Sequence, residues 1–236
     1  MLADAERASD PTALIVGASR GLGRAIAHEL LARHWRVIGT VRGPAEAPVE
    51  TSADRMEIKL LDTNEQAQIA ALREQLSDRV LDILFVNSGT TAEDANGLQR
   101  IGGISDQEFI RVMMTNALSP MRVIEALEHL VPIDGLIGAM SSGQGSISDN
   151  VKGSRELYRG SKAALNQFMR SFAARESQRA RAMILMAPGW IRTDLGGPGA
   201  PITIEEAVPQ IVDVLIAKRA RPGLEYLDRS GRSVPW

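Results

Sequence analysis

The stretch Ala13-Leu-Ile-Val16-Gly17-Ala-Ser19-Arg20-Gly21-Leu22-Gly23 carries the reading of the fold. A short apolar run reads as a buried strand, and it stops at a glycine. Two more glycines follow at Gly21 and Gly23, after which residues 24–33 repeat apolar positions at helical spacing. Strand, glycine turn and helix in that order let backbone amides approach a pyrophosphate closely, with the positive end of a helix behind them. The three residues between the first two glycines depart from the common G-x-G-x-x-G, so the turn's place between strand and helix matters more than its letters.

Outward from this unit the same alternation continues. Apolar runs at 13–16, 37–41, 56–61, 81–86, 136–140, 182–186 and 224–227 predict strands, and amphipathic patterns near 21–33, 64–77, 105–130, 156–177 and 203–218 predict helices. Strands alternating with helices imply an α/β fold, a doubly wound parallel sheet of about seven strands with helices on both faces. A single domain is expected over 12–236, after a flexible tail at 1–11. Thr63-Asn-Glu-Gln66 and Ser105-Asp-Gln-Glu108 each match a capping box and predict helix starts. Residues 43–53, 90–103, 143–154 and 196–201 are expected to be irregular; the last two are candidates for a substrate rim and lid, with Trp190 and Leu195 beside them for an apolar pocket.

Composition removes several classes of function. A net charge of −2 without a long basic block argues against a nucleic-acid-binding face, and 4% aromatic residues leave little for base stacking. With no cysteine there is no thiolate nucleophile or thiolate metal site, and His28, His34 and His129 lack ligand spacing, so no metal is expected. The first eleven residues are polar and acidic where a secretory signal would be basic and then apolar, and no run reaches membrane-spanning length. A cytoplasmic protein without a membrane partner is expected.

In an open parallel sheet ligands bind beyond the carboxyl ends of the strands. At the end of the second strand, where a carboxylate would hold the ribose diol of NAD, stands Arg42. With Arg20 it offers guanidinium groups to a 2′-phosphate, which predicts NADP(H) in preference to NAD(H). Asp62 follows the third strand, placed either to accept from an adenine amino group or only to help start a helix. Asn87-Ser88-Gly89 follows the fourth, Ser141-Ser142 the fifth, and Pro188-Gly189-Trp-Ile191-Arg-Thr193 the sixth, where exposed backbone suits an amide-bearing ring.

Two helical features add chemistry. Tyr158, Leu165, Phe168, Met169 and Phe172 recur at helical spacing, which turns Lys162 inward with them. A buried ammonium is costly unless a partner repays it, and a ligand-binding Lys162 whose charge makes Tyr158 a better acid is such an arrangement. Asn116 lies on the apolar face of the 105–130 segment with Pro120 four positions on. Proline cannot donate to the Asn116 carbonyl, which is left as an anchor for an ordered water.

Together, Gly17-x-x-x-Gly21-x-Gly23, Asp62, Asn87-Ser-Gly89, Asn116, Ser142, Tyr158-x-x-x-Lys162 and Pro188-Gly189 resemble, in order and over almost the whole chain, the short-chain dehydrogenase/reductase family. The resemblance implies a Rossmann-type fold, a nicotinamide cofactor, a catalytic tetrad of Asn116, Ser142, Tyr158 and Lys162, and a homodimer or homotetramer. It also selects Ser142 over Ser141, because Gly145 follows at the family's interval. Val16 and Ser88 depart from the residues common in the family, and the interval from Ser142 to Tyr158 is longer than usual. The implied activity is reversible reduction of a small-molecule carbonyl to an alcohol, with Tyr158 as the acid, Ser142 on the developing alkoxide and Lys162 on the nicotinamide ribose. The Gly-Ser-Ile-Ser-Asp-Asn segment at 145–150 and the ending from Tyr226 to Trp236 resemble the C-factor-like branch. That branch sets the alternative: a catalytically weak NAD(P)-binding regulatory or signalling protein.

Overall fold

The computed structural model describes residues 10–43, 54–93, 100–175 and 180–236. Residues 1–9 of the tail expected at 1–11, residues 44–53 of the irregular segment expected at 43–53, and the middle of the 90–103 segment lie outside the described residues. Among the described residues there are seven strands: β1 Thr12–Val16, β2 Arg36–Val41, β3 Met56–Leu60, β4 Ile83–Val86, β5 Leu136–Met140, β6 Ala182–Ala187 and β7 Gly223–Asp228. They pair in parallel in the order β3-β2-β1-β4-β5-β6-β7. The helices are α1 Gly21–Ala32, α2 Gln66–Gln75, α3 Asp106–Met113, α4 Ser119–Leu127, α5 Glu156–Arg175 and α6 Ile204–Lys218.

Both faces of the sheet are covered at its centre, which is why β1, β4, β5 and β6 read as nearly continuous apolar runs. Leu14, Val16, Leu84 and Ile137 pack with residues of α2, α4 and α5, whereas Ala13, Ile15, Phe85 and Ile184 pack with α1 and α6. Burying each such Leu, Ile or Phe side chain contributes roughly 1.5–3 kcal/mol. The winding reverses between β1 and β4, and the register sets Val16 beside Val86, Val86 beside Ala139 and Ala139 beside Leu185. The residues that follow these strands therefore gather at one edge, at the switch point where such sheets bind ligands.

Three local expectations are corrected. Thr63 does not cap α2: the helix begins at Gln66, Asp62 closes a turn onto the Asn64 amide at 2.9 Å, and the Asp62 amide donates to the Gln68 side chain at 2.7 Å. Local carboxylate-to-amide bonding wins over the helix start there. The 105–130 segment is not one helix, because residues Met114–Leu118 form a π-helical turn between α3 and α4. Pro120 removes the donor to the Asn116 carbonyl, the Ser119 amide reaches back five residues to Met114, and the widened turn keeps Asn116 fully buried. Phe168 is 43% exposed, since it sits about 80° round the helix from Tyr158 and outside the buried stripe.

Ser105 does cap α3, accepting from the Glu108 amide at 3.2 Å, but the Glu108 carboxylate turns to Arg111 and the Glu93 amide instead of closing the box. The reciprocal box occurs at α6, between Thr203 and Glu206. Among the described residues no helix is long and apolar enough to cross a membrane, and no group of His, Asp and Glu side chains could hold a metal ion.

Candidate active site

The glycine turn is shaped by backbone. Gly17 has φ 87°, and a β-carbon on it would lie 3.2 Å from the Ser88 amide nitrogen. On Gly23 a β-carbon would lie 2.0 Å from the Gly17 carbonyl oxygen and 2.5 Å from the Asn87 amide nitrogen, so α1 can approach β1 only through hydrogen. The Gly17 and Ala18 amides donate to the Thr40 hydroxyl and carbonyl, at 3.0 and 2.8 Å, and the Asn87 side chain donates to the Gly17 carbonyl at 3.3 Å. The first amides of α1 have no side-chain cap, and no acidic residue stands in its first turn. An anion such as a pyrophosphate fits this arrangement, because close approach, free amides and the positive helix end coincide. The buried Ser88 hydroxyl beside it has no protein partner.

Arg42 stands exposed just past β2, in the position read from the sequence. Arg20 pairs with Asp194 at 3.2 Å on the surface, a contact worth little in water. This pair carries the segment after β6 across the turn, and Thr193 approaches Gly21. In that segment Pro188 and Ile191 are buried, Gly189 is exposed with φ 93°, and Thr193 accepts from the Gly196 amide at 3.0 Å. Trp190 and Leu195, expected around an apolar pocket, are 56% and 41% exposed, and the Trp190 indole donates to the Gly196 carbonyl at 2.7 Å. Asp62, half-buried and engaged with Asn64, keeps its place beyond β3.

Across the switch point the construction changes to buried polar side chains. The Asn116 amide group clasps Thr90, accepting from its backbone amide at 2.7 Å and donating to its carbonyl at 2.8 Å, and donates also to Ser161 at 2.9 Å. Lys162, 3% exposed, donates from Nζ to the Met140 carbonyl at 2.9 Å. Gly89 keeps this corner open: a β-carbon there would sit 3.4 Å from Lys162 Nζ and 3.5 Å from Asn116 Oδ1. Burial lowers the Lys162 pKa to about 8.

Tyr158 lies one turn earlier on α5 and is 8% exposed. Contrary to expectation, its phenol is held above the ordinary tyrosine value: burial dominates, while a hydrogen bond with Ser142 and the charge of Arg155 pull the other way. Lys162 is not among these influences. Its ammonium is turned to the end of β5, and burial leaves it less charge to offer.

Sequence reading missed a supporting layer. Tyr226 on β7 donates to the Ser142 carbonyl, and its ring packs on Trp236 with centroids 5.4 Å apart. Ser141 donates to Asn166 at 2.6 Å, and Asn166 donates to the Gly145 carbonyl at 3.3 Å. Gly145 lies so close to α5 that a β-carbon would meet Lys162 Cβ at 3.0 Å, which accounts for glycine there. The available signals were polar residues inside apolar patterns: Thr40 in β2, Asn166 in α5 and Tyr226 in β7.

These elements match known proteins. The short chain dehydrogenase family profile covers residues 11–200, and the chain belongs to that family. A short-chain dehydrogenase/reductase of Burkholderia multivorans solved with bound NADP is 60% identical, with TM-score 0.94 over 97% of this chain and 100% of that one. A carbonyl reductase of Pseudomonas aeruginosa in complex with NADP is 30% identical, with TM-score 0.88 over 97% and 100%. The C-signal protein of Myxococcus xanthus is 30% identical over 66% of this chain and 93% of its own.

Proposed function

We propose that the protein is an NADP(H)-dependent oxidoreductase that interconverts a small-molecule carbonyl and its alcohol, with Tyr158 as general acid and base. The observation that carries this reading is the meeting of Tyr158, Ser142, Lys162 and Asn116 at the same sheet edge as an uncapped, glycine-built helix start. The NADP complexes of the Burkholderia and Pseudomonas relatives support the choice of cofactor. The turn from Gly17 to Gly23, with Ser19 and Leu22, would hold the pyrophosphate; Asn87, Ser88, Gly89, Tyr158 and Lys162 would face the ribose; the 188–193 segment would face the nicotinamide amide; Arg42 would take the 2′-phosphate.

A nicotinamide cofactor held by these residues would supply the hydride for the carbonyl carbon. The phenol of Tyr158 gives its proton to the oxygen that becomes the alcohol, and the Ser142 hydroxyl donates to the same oxygen while charge builds on it. Asn116 fixes the Thr90 backbone beside Lys162 and so holds the corner through which a proton returns to Tyr158. A protein that binds NADP(H) without turnover, as in C-factor-type signalling, needs none of the buried order around Ser142 and Tyr158.

Steady-state reduction across a panel of aldehydes and ketones tests the reading. Tyr158→Phe is expected to lower kcat by about 10²–10⁴-fold while NADPH still binds. Near-normal turnover in that variant, with a substrate the parent accepts, rejects it.

A further inference from the structure

We propose that Arg155 is a positioning residue for Tyr158, its guanidinium lying across the phenol ring, fixing it at the mouth of the site and stabilising the phenolate left after proton transfer. The inference rests on the reading of Tyr158 as the proton donor. Arg155 Cζ is 4.8 Å from the Tyr158 ring centroid, inside the range in which a cation is attracted to an aromatic face. The guanidinium is anchored as well as stacked, because Nη2 donates to the Thr91 hydroxyl at 3.0 Å. The Thr91 carbonyl is held by Arg111 at 2.8 Å, and the adjacent Thr90 is clasped by Asn116. Arg155 thus joins the loop that Asn116 orders to the ring that carries the acid.

The backbone carries the mark of this placement. Gly153, Ser154 and Arg155 are consecutive left-handed residues with φ 64°, 61° and 49°. Side chains on β-carbons are costly there, and two in a row persist where the surroundings over-determine them, as at functional sites. The left-handed pair brings Arg155 to the position just before α5, from which it reaches Tyr158 three residues on.

Among the described residues the groups that act on the Tyr158 phenol are Ser142 and Arg155, and Tyr226 couples to it. Lys162 follows on the same helix with Nζ on the Met140 carbonyl, and Tyr226 comes from β7, its own ionisation opposed by that of Tyr158. Arg155 is the cation that lowers the proton affinity of Tyr158, partly offsetting burial. Among the described residues no carboxylate pairs with Arg155, which is half-buried, so its charge reaches the ring screened in part by solvent but not by a counter-ion.

The chain has two tyrosines, Tyr158 and Tyr226, so NMR of the full chain labelled with ¹³Cζ-tyrosine follows each through its titration, with Tyr226→Phe to assign them. Arg155→Asn removes the cation and keeps a residue that tolerates the left-handed backbone. It is expected to move the Tyr158 titration to higher pH, carry the alkaline limb of carbonyl reduction with it, and lower kcat/KM roughly tenfold. Arg155→Lys is expected to recover part of each change. Arg155→Met is measured alongside, and circular dichroism selects the variants that fold. If the Tyr158 titration and the pH profile stay where the parent has them in a folded variant without the charge, the proposal is overturned. The parent reading fails separately: full turnover in Tyr158→Phe removes the acid role, while the NMR titration still decides whether Arg155 governs that phenol.

Discussion

At the glycine turn, β1 and α1 meet with only backbone between them, whereas between β5 and α5 the corresponding space is filled by polar side chains. In the first region a β-carbon on Gly23 would fall 2.0 Å from a carbonyl oxygen. In the second, Lys162, Asn166, Ser141 and Ser161 are buried: Lys162 donates to the carbonyl that ends β5, Ser141 to Asn166, and Ser161 to the Tyr158 carbonyl while accepting from Asn116. One region is therefore specified by exclusion of atoms and the other by electrostatics. The first should fail by steric overlap; the second should lose chemistry while the fold survives.

The sharpest way to break the contrast is Gly23→Ala. One methyl group between two backbones is expected to abolish NADP(H) binding and destabilise by at least ~1–3 kcal/mol, read by calorimetry and fluorescence titration. A variant as stable as the parent with its affinity intact means that the turn has room to yield.

On the other side, Lys162→Met is expected to lower kcat on the order of 10²-fold, the scale of one preorganised donor, while thermal stability stays level or rises. Burial sets the Lys162 pKa at about 8, below its unfolded value, so above that pH the unfolded chain binds more protons than the folded one. Stability of the ligand-free protein should thus increase from about pH 8 to about pH 10, by up to about 3 kcal/mol from this group. Beyond that the buried tyrosines, whose pKa values are raised, reverse the trend. Lys218 shares the lowered direction, so Lys162→Met should make the slope shallower and leave a remainder. Denaturant melts over that pH range check the sign; an unchanged slope in the variant contradicts it.

Arg42→Ala bears on the nucleotide end, where specificity would come from one charged side chain on the backbone-built region. Loss of charged hydrogen bonds to a 2′-phosphate should narrow the preference for NADPH over NADH by roughly 10–100-fold. Equal titrations of both cofactors before and after the change remove Arg42 from that role.

The smallest effect is expected from Tyr226→Phe, which takes the phenol donor from the Ser142 carbonyl. A fall in kcat of roughly two- to tenfold, with KM nearly unchanged, fits support of the serine loop. A change confined to KM places Tyr226 in substrate binding instead.

Much of this was legible in the chain because it rests on local chemistry. The Ala13–Gly23 stretch, the strand-end motifs and the Tyr158-Lys162 interval each combine a backbone preference with a polar group at a fixed offset, and the sheet delivers them to one edge. The misses have local causes as well. Asp62 bonding to Asn64 displaced the expected cap at Thr63, and Pro120 turned a continuous helix into one with a π-helical turn.

By itself the sequence determined which residues meet at the carboxyl edge of a parallel sheet, since apolar period and glycine placement are properties of neighbours along the chain. The tertiary structure alone decided what those residues feel. The proton affinity of Tyr158 depends on how deeply α5 is buried and on Arg155 stacked across its ring, and the orientation of Ser142 on a tyrosine 84 positions away. Desolvation and charge act through space, and the chain order does not record those distances.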